Sequence, residues 1–197
     1  STSADYSSTP PHRDPQKSRK SPKVIEFKTN TMAGLGAEPG TERRTGGIDL
    51  RDDWPTALRD KGFDPKTPTA WIAEGLLIYL PPEAQDRLFD NITTLSAPGS
   101  RVACEQIPDA NVFSDMLNDD RVQALAARSR KFGFDMDMTE LFYAGDRSLV
   151  TDYLAARGWR PTPMTTAELY AANGFTLPKD ELMAQFADLS YVSAVLG

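Results

Sequence analysis

A single cysteine, Cys104, and a single histidine, His12, are all that 197 residues provide of either type. One cysteine excludes an intrachain disulfide and a cysteine-only zinc cluster. One histidine, placed ahead of the region that reads as folded, excludes Ser-His-Asp, Cys-His and multi-histidine metal sites within one copy of the chain. No metal is expected. Long apolar runs are lacking too: none approaches the roughly 20 residues that span a bilayer, and the first residues have no apolar segment of a secretory signal. A free cysteine without an export signal fits a cytoplasmic protein. Positive charge is in deficit, with 22 Lys and Arg against 28 Asp and Glu and a net charge of -6. That argues against a broad nucleic-acid or anionic-membrane surface, so neither partner is expected.

What is present begins with a composition shift. Residues 1–22 are rich in Ser, Pro and basic side chains and nearly free of aliphatics. Such a segment cannot bury enough apolar area to offset its ordering entropy, and it reads as a disordered basic tail. Residues 23–197 form the expected domain. Val24, Phe27, Thr31 and Leu35 recur at spacings of three and four, which predicts a helix over 23–35 with one apolar face. Residues 44–50 (RTGGIDL) read as a short strand weakened by Gly46 and Gly47. Asp52, Asp53 and Pro55 mark the start of a helix, and Gly62 its end.

The run TAWIA at 69–73 is continuous and apolar, which predicts a central strand buried on both faces. Pro81-Pro82-Glu83 opens a helix with Leu88, Phe89, Ile92 and Leu95 on one side, and RVACE at 101–105 is the next strand. Residues 111–132 read as a long helix and 148–157 as another, stopped by Gly158. Residues 159–164 read as a strand, Thr165-Thr166-Ala167-Glu168 as a capping box, and 188–196 as a last strand. Alternating strands and helices imply a sheet with parallel strands and helices on both faces. Ligands of such sheets sit at the carboxyl ends of the strands.

Three carboxylates stand at those ends. Asp49-Leu50 can accept from an exocyclic amine such as that of adenine and pack on a ring face; Asp49 can equally cap the next helix, in competition with Asp52 and Asp53. Glu74-Gly75 follows TAWIA. A carboxylate there is costly unless paired or wet, so it faces either a cationic group or solvent. Glu105, after RVACE, runs into a polar loop and is the weaker candidate. Cys104 and the tryptophans, Trp54, Trp71 and Trp159, read as core.

With IDLRDDW, then AEGLLIYLPPE, then an ending FADLSYVSAV, the chain resembles the leucine carboxyl methyltransferase-like branch of class I S-adenosylmethionine-dependent methyltransferases, from about Pro22 onward. The resemblance implies an α/β class I methyltransferase (Rossmann-like) sheet with an antiparallel final strand. It implies S-adenosyl-L-methionine as cofactor, Asp49 and Leu50 at the adenine, and Glu74 near the methionine portion. It also implies a small-molecule or carboxylate methyl acceptor, with residues 111–147 as its cover. No catalytic residue is assigned.

The family's glycine loop after its first strand and the acid after its second have no counterpart here, where Ser18-Arg19-Lys20-Ser21 stands instead. We therefore expect a methyltransferase domain lacking its N-terminal third and its first two strands, and slow methyl transfer by this chain. In the family those two strands lie between the third and the fourth, so the resemblance also implies that the strand over 44–50 loses its neighbour and that the strand over 69–73 gains an exposed edge. The alternative is a non-catalytic remnant or interaction module that does not bind the cofactor.

Overall fold

The computed structural model describes residues 20–106, 143, 146–178 and 189–197. They belong to two units, Ser1–Phe63 and Asp64–Gly197. Most of the expected tail, the expected helix over 111–132 and most of the cover over 111–147 lie outside the described residues.

In the first unit, helix α1 spans Lys20–Gly34 and ends just before Gly36, which sits at φ +70°. The helix is where the spacing puts it, but its apolar positions are not covered: Phe27 is 72% and Leu35 75% exposed. The expected strand over 44–50 is not formed. This is a correction, and its reason is that a strand exists only through a neighbour that takes its amides and carbonyls. No described strand pairs with this segment, and Gly46 and Gly47 add nothing to hold it extended.

The segment is nonetheless anchored within its unit. Arg44 Nη1 donates to the carbonyls of Lys61 at 2.9 Å and Gly62 at 3.3 Å, and its Nε pairs with Glu42 at 2.8 Å. Helix α2 spans Trp54–Asp60. Asp53 is its cap, accepting from the Thr56 amide at 3.2 Å, and Pro55 fits the first turn, where a missing N–H is harmless.

The second unit holds a four-stranded mixed sheet. Its strands are β1 (Ala70–Ala73), β2 (Arg101–Gln106), β3 (Trp159–Thr165) and β4 (Ser190–Leu196), in spatial order β1-β2-β4-β3. β1 runs parallel to β2, and β4 is antiparallel to both of its neighbours. The antiparallel final strand is thus present. The Ser100 hydroxyl accepts the Thr69 amide at 3.0 Å and ties the start of β1 to β2.

Register decides which side chains share a face. Val102 lies opposite Ala194, and Cys104 opposite Val192. All four are buried, and they build the core with Leu88, Phe89 and Ile92 of helix α3 (Pro82–Thr94) and Val150 and Leu154 of helix α4 (Val150–Ala155). Burying a side chain such as Phe89 or Leu154 contributes about 1.5–3 kcal/mol. The intervening row, Ile72, Ala103, Ser193 and Thr162, crosses all four strands on the opposite face, and each member is exposed. Of the expected helices on both faces, the described residues of this unit bury one face only.

For TAWIA the expectation of a strand buried on both faces is corrected, while the exposed edge that the resemblance implied for it is present among the described residues. β1 is an edge strand among the described residues, Ala73 is its one buried residue, and Ile72 is 78% exposed. An apolar run does not distinguish a central strand from an edge strand, because the pairing partner is not local. Helix α5 (Thr166–Ala172) starts at the capping box that its sequence predicts. Thr165 accepts from the Glu168 amide at 3.2 Å, and the Glu168 carboxylate accepts from the Thr165 amide at 2.8 Å. That pairing holds Glu168 below the usual carboxylate range. Trp54 and Trp159 are buried as expected, whereas Trp71 is half-buried, its indole N–H donating to the Ser96 hydroxyl at 2.8 Å.

Candidate functional site

Asp49 and Leu50 lie in the first unit, just ahead of α2. Asp53 takes the cap of that helix, so Asp49 is not needed there. Its carboxylate instead accepts from the Arg51 amide and the Arg51 Nε, each at 2.9 Å, and from Arg51 Nη2 at 2.5 Å. The Asp49 carbonyl accepts the Asp52 amide at 2.9 Å. These contacts fold 49–52 into a tight turn. An ion pair this close to solvent contributes about 0–1 kcal/mol, so exchanging the Arg51 side chain for another donor costs little. Leu50 is half-buried and lines a hollow of about 480 Å³ with Ile48, Trp54, Leu58 and Phe63. Glu42, Arg44 and Lys61 share the wall, and Asp49 stands in the turn beside the hollow, where a carboxylate can accept from an amine on the edge of a flat ring.

Glu74 lies in the second unit, immediately after β1. It is exposed, and among the described residues no hydrogen bond or ion pair is made to its carboxylate. It lines a hollow of about 440 Å³ together with Ile72, Tyr170 and Tyr191. Gly75 follows at φ +61°, a backbone conformation natural to glycine, and a β-carbon added there would meet no atom within 4 Å. Among the described residues, the approach to this backbone is open.

Glu105 has a different place from the solvated loop end expected for it. Its Oε2 accepts the Gly75 amide at 2.9 Å, and its Oε1 accepts the amides of Leu76 at 2.8 Å and Leu77 at 2.7 Å. These are the first amides of the 3-10 turn Leu77–Tyr79 and its approach. A carboxylate at such an end satisfies donors that have no partner within the turn. Glu105 is therefore a support for the Glu74 loop, and the two acids divide the work: one is committed to the backbone, the other left outward.

One further side chain, Arg147, holds the same loop, and Gln85 holds the segment that carries it; no sequence pattern marks either. Arg147 donates to the carbonyls of Leu77 and Leu80, and buried Gln85 donates to the Ser148 carbonyl at 3.0 Å. Their partners are 62 to 70 residues away in sequence, beyond any local signal. Cys104 is buried between β1 and β4, and burial pushes its thiol up to about 12. A thiol so held is not a nucleophile at neutral pH. Among the described residues no cluster of three His, Cys, Asp or Glu is placed to hold a metal, and no helix is long and apolar enough to cross a membrane.

Comparison with known proteins agrees with the resemblance read from the sequence. Residues 20–93 match the family model described as leucine carboxyl methyltransferase. The chain is 58% identical over 175 residues to a protein of Mycobacterium avium (strain 104), a match covering 89% of the chain and 56% of that relative. It is also 58% identical over 175 residues to one of Mycobacterium tuberculosis (strain ATCC 25618 / H37Rv), covering 89% of the chain and 57% of the relative. Identity to a Mycobacterium marinum protein is 59% over 174 residues, or 88% of the chain and 57% of the relative. All three relatives are named, provisionally, as S-adenosyl-L-methionine-dependent methyltransferases. The chain spans a little over half the length of the curated relatives it matches.

Proposed function

We propose that the chain is part or all of an S-adenosyl-L-methionine-dependent methyltransferase acting on an oxygen of a small molecule, with a carboxylate as the favoured acceptor. The observation that carries this reading is Glu74. It is an exposed carboxylate at the carboxyl end of a parallel strand, without a hydrogen-bond or ion-pair partner among the described residues, and its loop is secured from behind by Glu105. Similarity to relatives named for that activity supports it.

Each unit holds residues whose chemistry suits one portion of the cofactor, the adenine in the first and the methionine portion in the second. Asp49 would accept from the adenine amine once Arg51 swings aside, and Leu50 would pack on the ring from the edge of its hollow. Glu74 offers a negative charge to the cationic methionine portion, and Gly75 lets a ligand lie close to the backbone there. The bound cofactor supplies a methyl group on a sulfonium; an acceptor oxygen pair forms the new O–C bond as the S–C pair returns to sulfur. The protein's part in such a displacement is alignment of the two reactants. A carboxylate acceptor is already ionised near neutral pH and needs no general base. This suits a described region without histidine.

A test of the reaction class is transfer of a radiolabelled methyl group to a panel of small carboxylic acids, followed by alkali. Carboxyl methyl esters release the label as volatile methanol. Label that is transferred and then volatilised, however slowly, is the expected result. Label that is transferred but stable to alkali contradicts the carboxylate acceptor, and no transfer to any acceptor contradicts the reading as a whole.

A further inference from the structure

Four acceptors converge on the guanidinium of Arg147. Nη1 donates to the Leu77 carbonyl at 3.0 Å and to Gln85 Oε1 at 3.3 Å; Nη2 donates to the carbonyls of Leu80 and Tyr143, each at 2.7 Å. Alongside, the Tyr143 amide donates to the Ile78 carbonyl at 3.4 Å. Leu77 and Leu80 are the carbonyl side of the turn whose amide side is taken by Glu105. The turn is thus held at one end by a carboxylate on its N–H groups and at the other by a guanidinium on its C=O groups. Arg147 is itself steadied by Gln85, which is 2% exposed and donates to the neighbouring Ser148 carbonyl. A buried amide committed on both sides in this way rigidifies its surroundings.

Glu74 has no side-chain partner among the described residues, and a left-handed glycine follows it. The place from which its side chain starts is set by the backbone it rides on. We infer that Arg147 is a positioning residue for Glu74: with Glu105 it clamps the 75–80 turn and so fixes the backbone from which Glu74 reaches toward the cofactor's methionine portion. This inference rests on the methyltransferase reading above. The fork matters as well as the charge, because one planar guanidinium reaches Leu77 and Leu80 together, which an ammonium on a single stem does not.

The test uses Arg147→Ala and Arg147→Lys in the full chain, alone and combined with Glu74→Gln. Amide exchange at Gly75, Leu76 and Leu77 and calorimetric titration with S-adenosylhomocysteine are the readouts. We expect exchange at these amides to quicken at least tenfold in Arg147→Ala, with Val102 and Cys104 unchanged as a check on folding. Affinity should fall about tenfold in Arg147→Ala and less in Arg147→Lys. Glu74→Gln should weaken wild type clearly but add less than twofold in the Arg147→Ala background.

Unchanged exchange overturns the clamp. Faster exchange with wild-type affinity, or fully additive effects of Arg147→Ala and Glu74→Gln, reduces Arg147 to a structural residue and overturns the inference alone. Should Arg147→Ala fail to fold, Arg147→Lys carries the same comparison. If wild type does not bind S-adenosylhomocysteine, the methyltransferase reading falls and the inference falls with it, an outcome distinct from binding that the variants leave unaltered.

Discussion

The carboxylate of Glu105 accepts the backbone amide of Leu77 at 2.7 Å, joining the end of one strand to the turn that follows its parallel neighbour. With the amides of Gly75 and Leu76 also on this carboxylate, one side chain takes up the amide end of the turn after β1.

Glu105→Gln keeps the shape but loses the charge and one of the two accepting oxygens. Hydrogen bonds to a charged group contribute roughly 1–3 kcal/mol, and a buried amide left without a partner costs a similar amount. Urea unfolding should show a loss in that range. Stability equal to wild type would mean that the loop is held by something other than Glu105.

Cys104 makes a prediction about pH. Burial raises its thiol from 9.0 to about 12, so above pH 9 the unfolded chain loses a proton that the folded chain keeps. Its contribution is intact below pH 9 and declines as pH rises toward 12, by about 1.4 kcal/mol for each unit crossed. A comparison of wild type with Cys104→Ala by urea unfolding at pH 8 and pH 10 should show the wild-type advantage shrinking by about 1 kcal/mol. At pH 8 the native thiol should resist a disulfide reagent that modifies the denatured chain at once. Rapid modification of native protein would contradict its burial.

Phe89 and Ile72 are both large apolar residues of the second unit, with opposite surroundings. Phe89 is 0% exposed and Ile72 78%. Phe89→Ala should destabilise by about 3–5 kcal/mol through lost burial and the cavity left behind. Ile72→Ala should stay within roughly 0.5 kcal/mol, as exposed substitutions do. Chemical denaturation of the two variants checks this, and a large loss from Ile72→Ala would show that its face is covered in solution.

What the sequence made legible was local. Asp53 and Pro55 start α2, Gly158 follows α4, and the reciprocal pair of Thr165 and Glu168 starts α5, because each signal lies within a few residues of its effect. What it concealed depended on distant partners. Residues 44–50 carry a strand-like pattern but have no described neighbour to pair with. TAWIA reads as interior from its apolar run alone, and only the resemblance pointed to the exposed edge, where β1 meets a described strand on one side only. Of the candidate site, Asp49, Leu50 and Glu74 could be named from their place at predicted strand ends. The supporting role of Glu105 was hidden because its amides lie 28 to 30 residues away, and that of Arg147 because its farthest carbonyl lies 70 residues away.

The most direct measurement is calorimetric titration of the chain with S-adenosylhomocysteine, run on wild type, Asp49→Ala, Glu74→Gln and Asp53→Ala. Asp53 is the control: hydrogen bonding to Thr56 holds its carboxyl below the usual range, so it serves helix α2 above that pKa and ceases to as pH falls. We expect saturable binding in the micromolar range for wild type at neutral pH. Affinity should weaken by about tenfold or more in Asp49→Ala and in Glu74→Gln, the scale of one lost charge-assisted hydrogen bond, and stay unchanged in Asp53→Ala. No heat of binding for wild type, or equal affinities across all four proteins, would contradict this account.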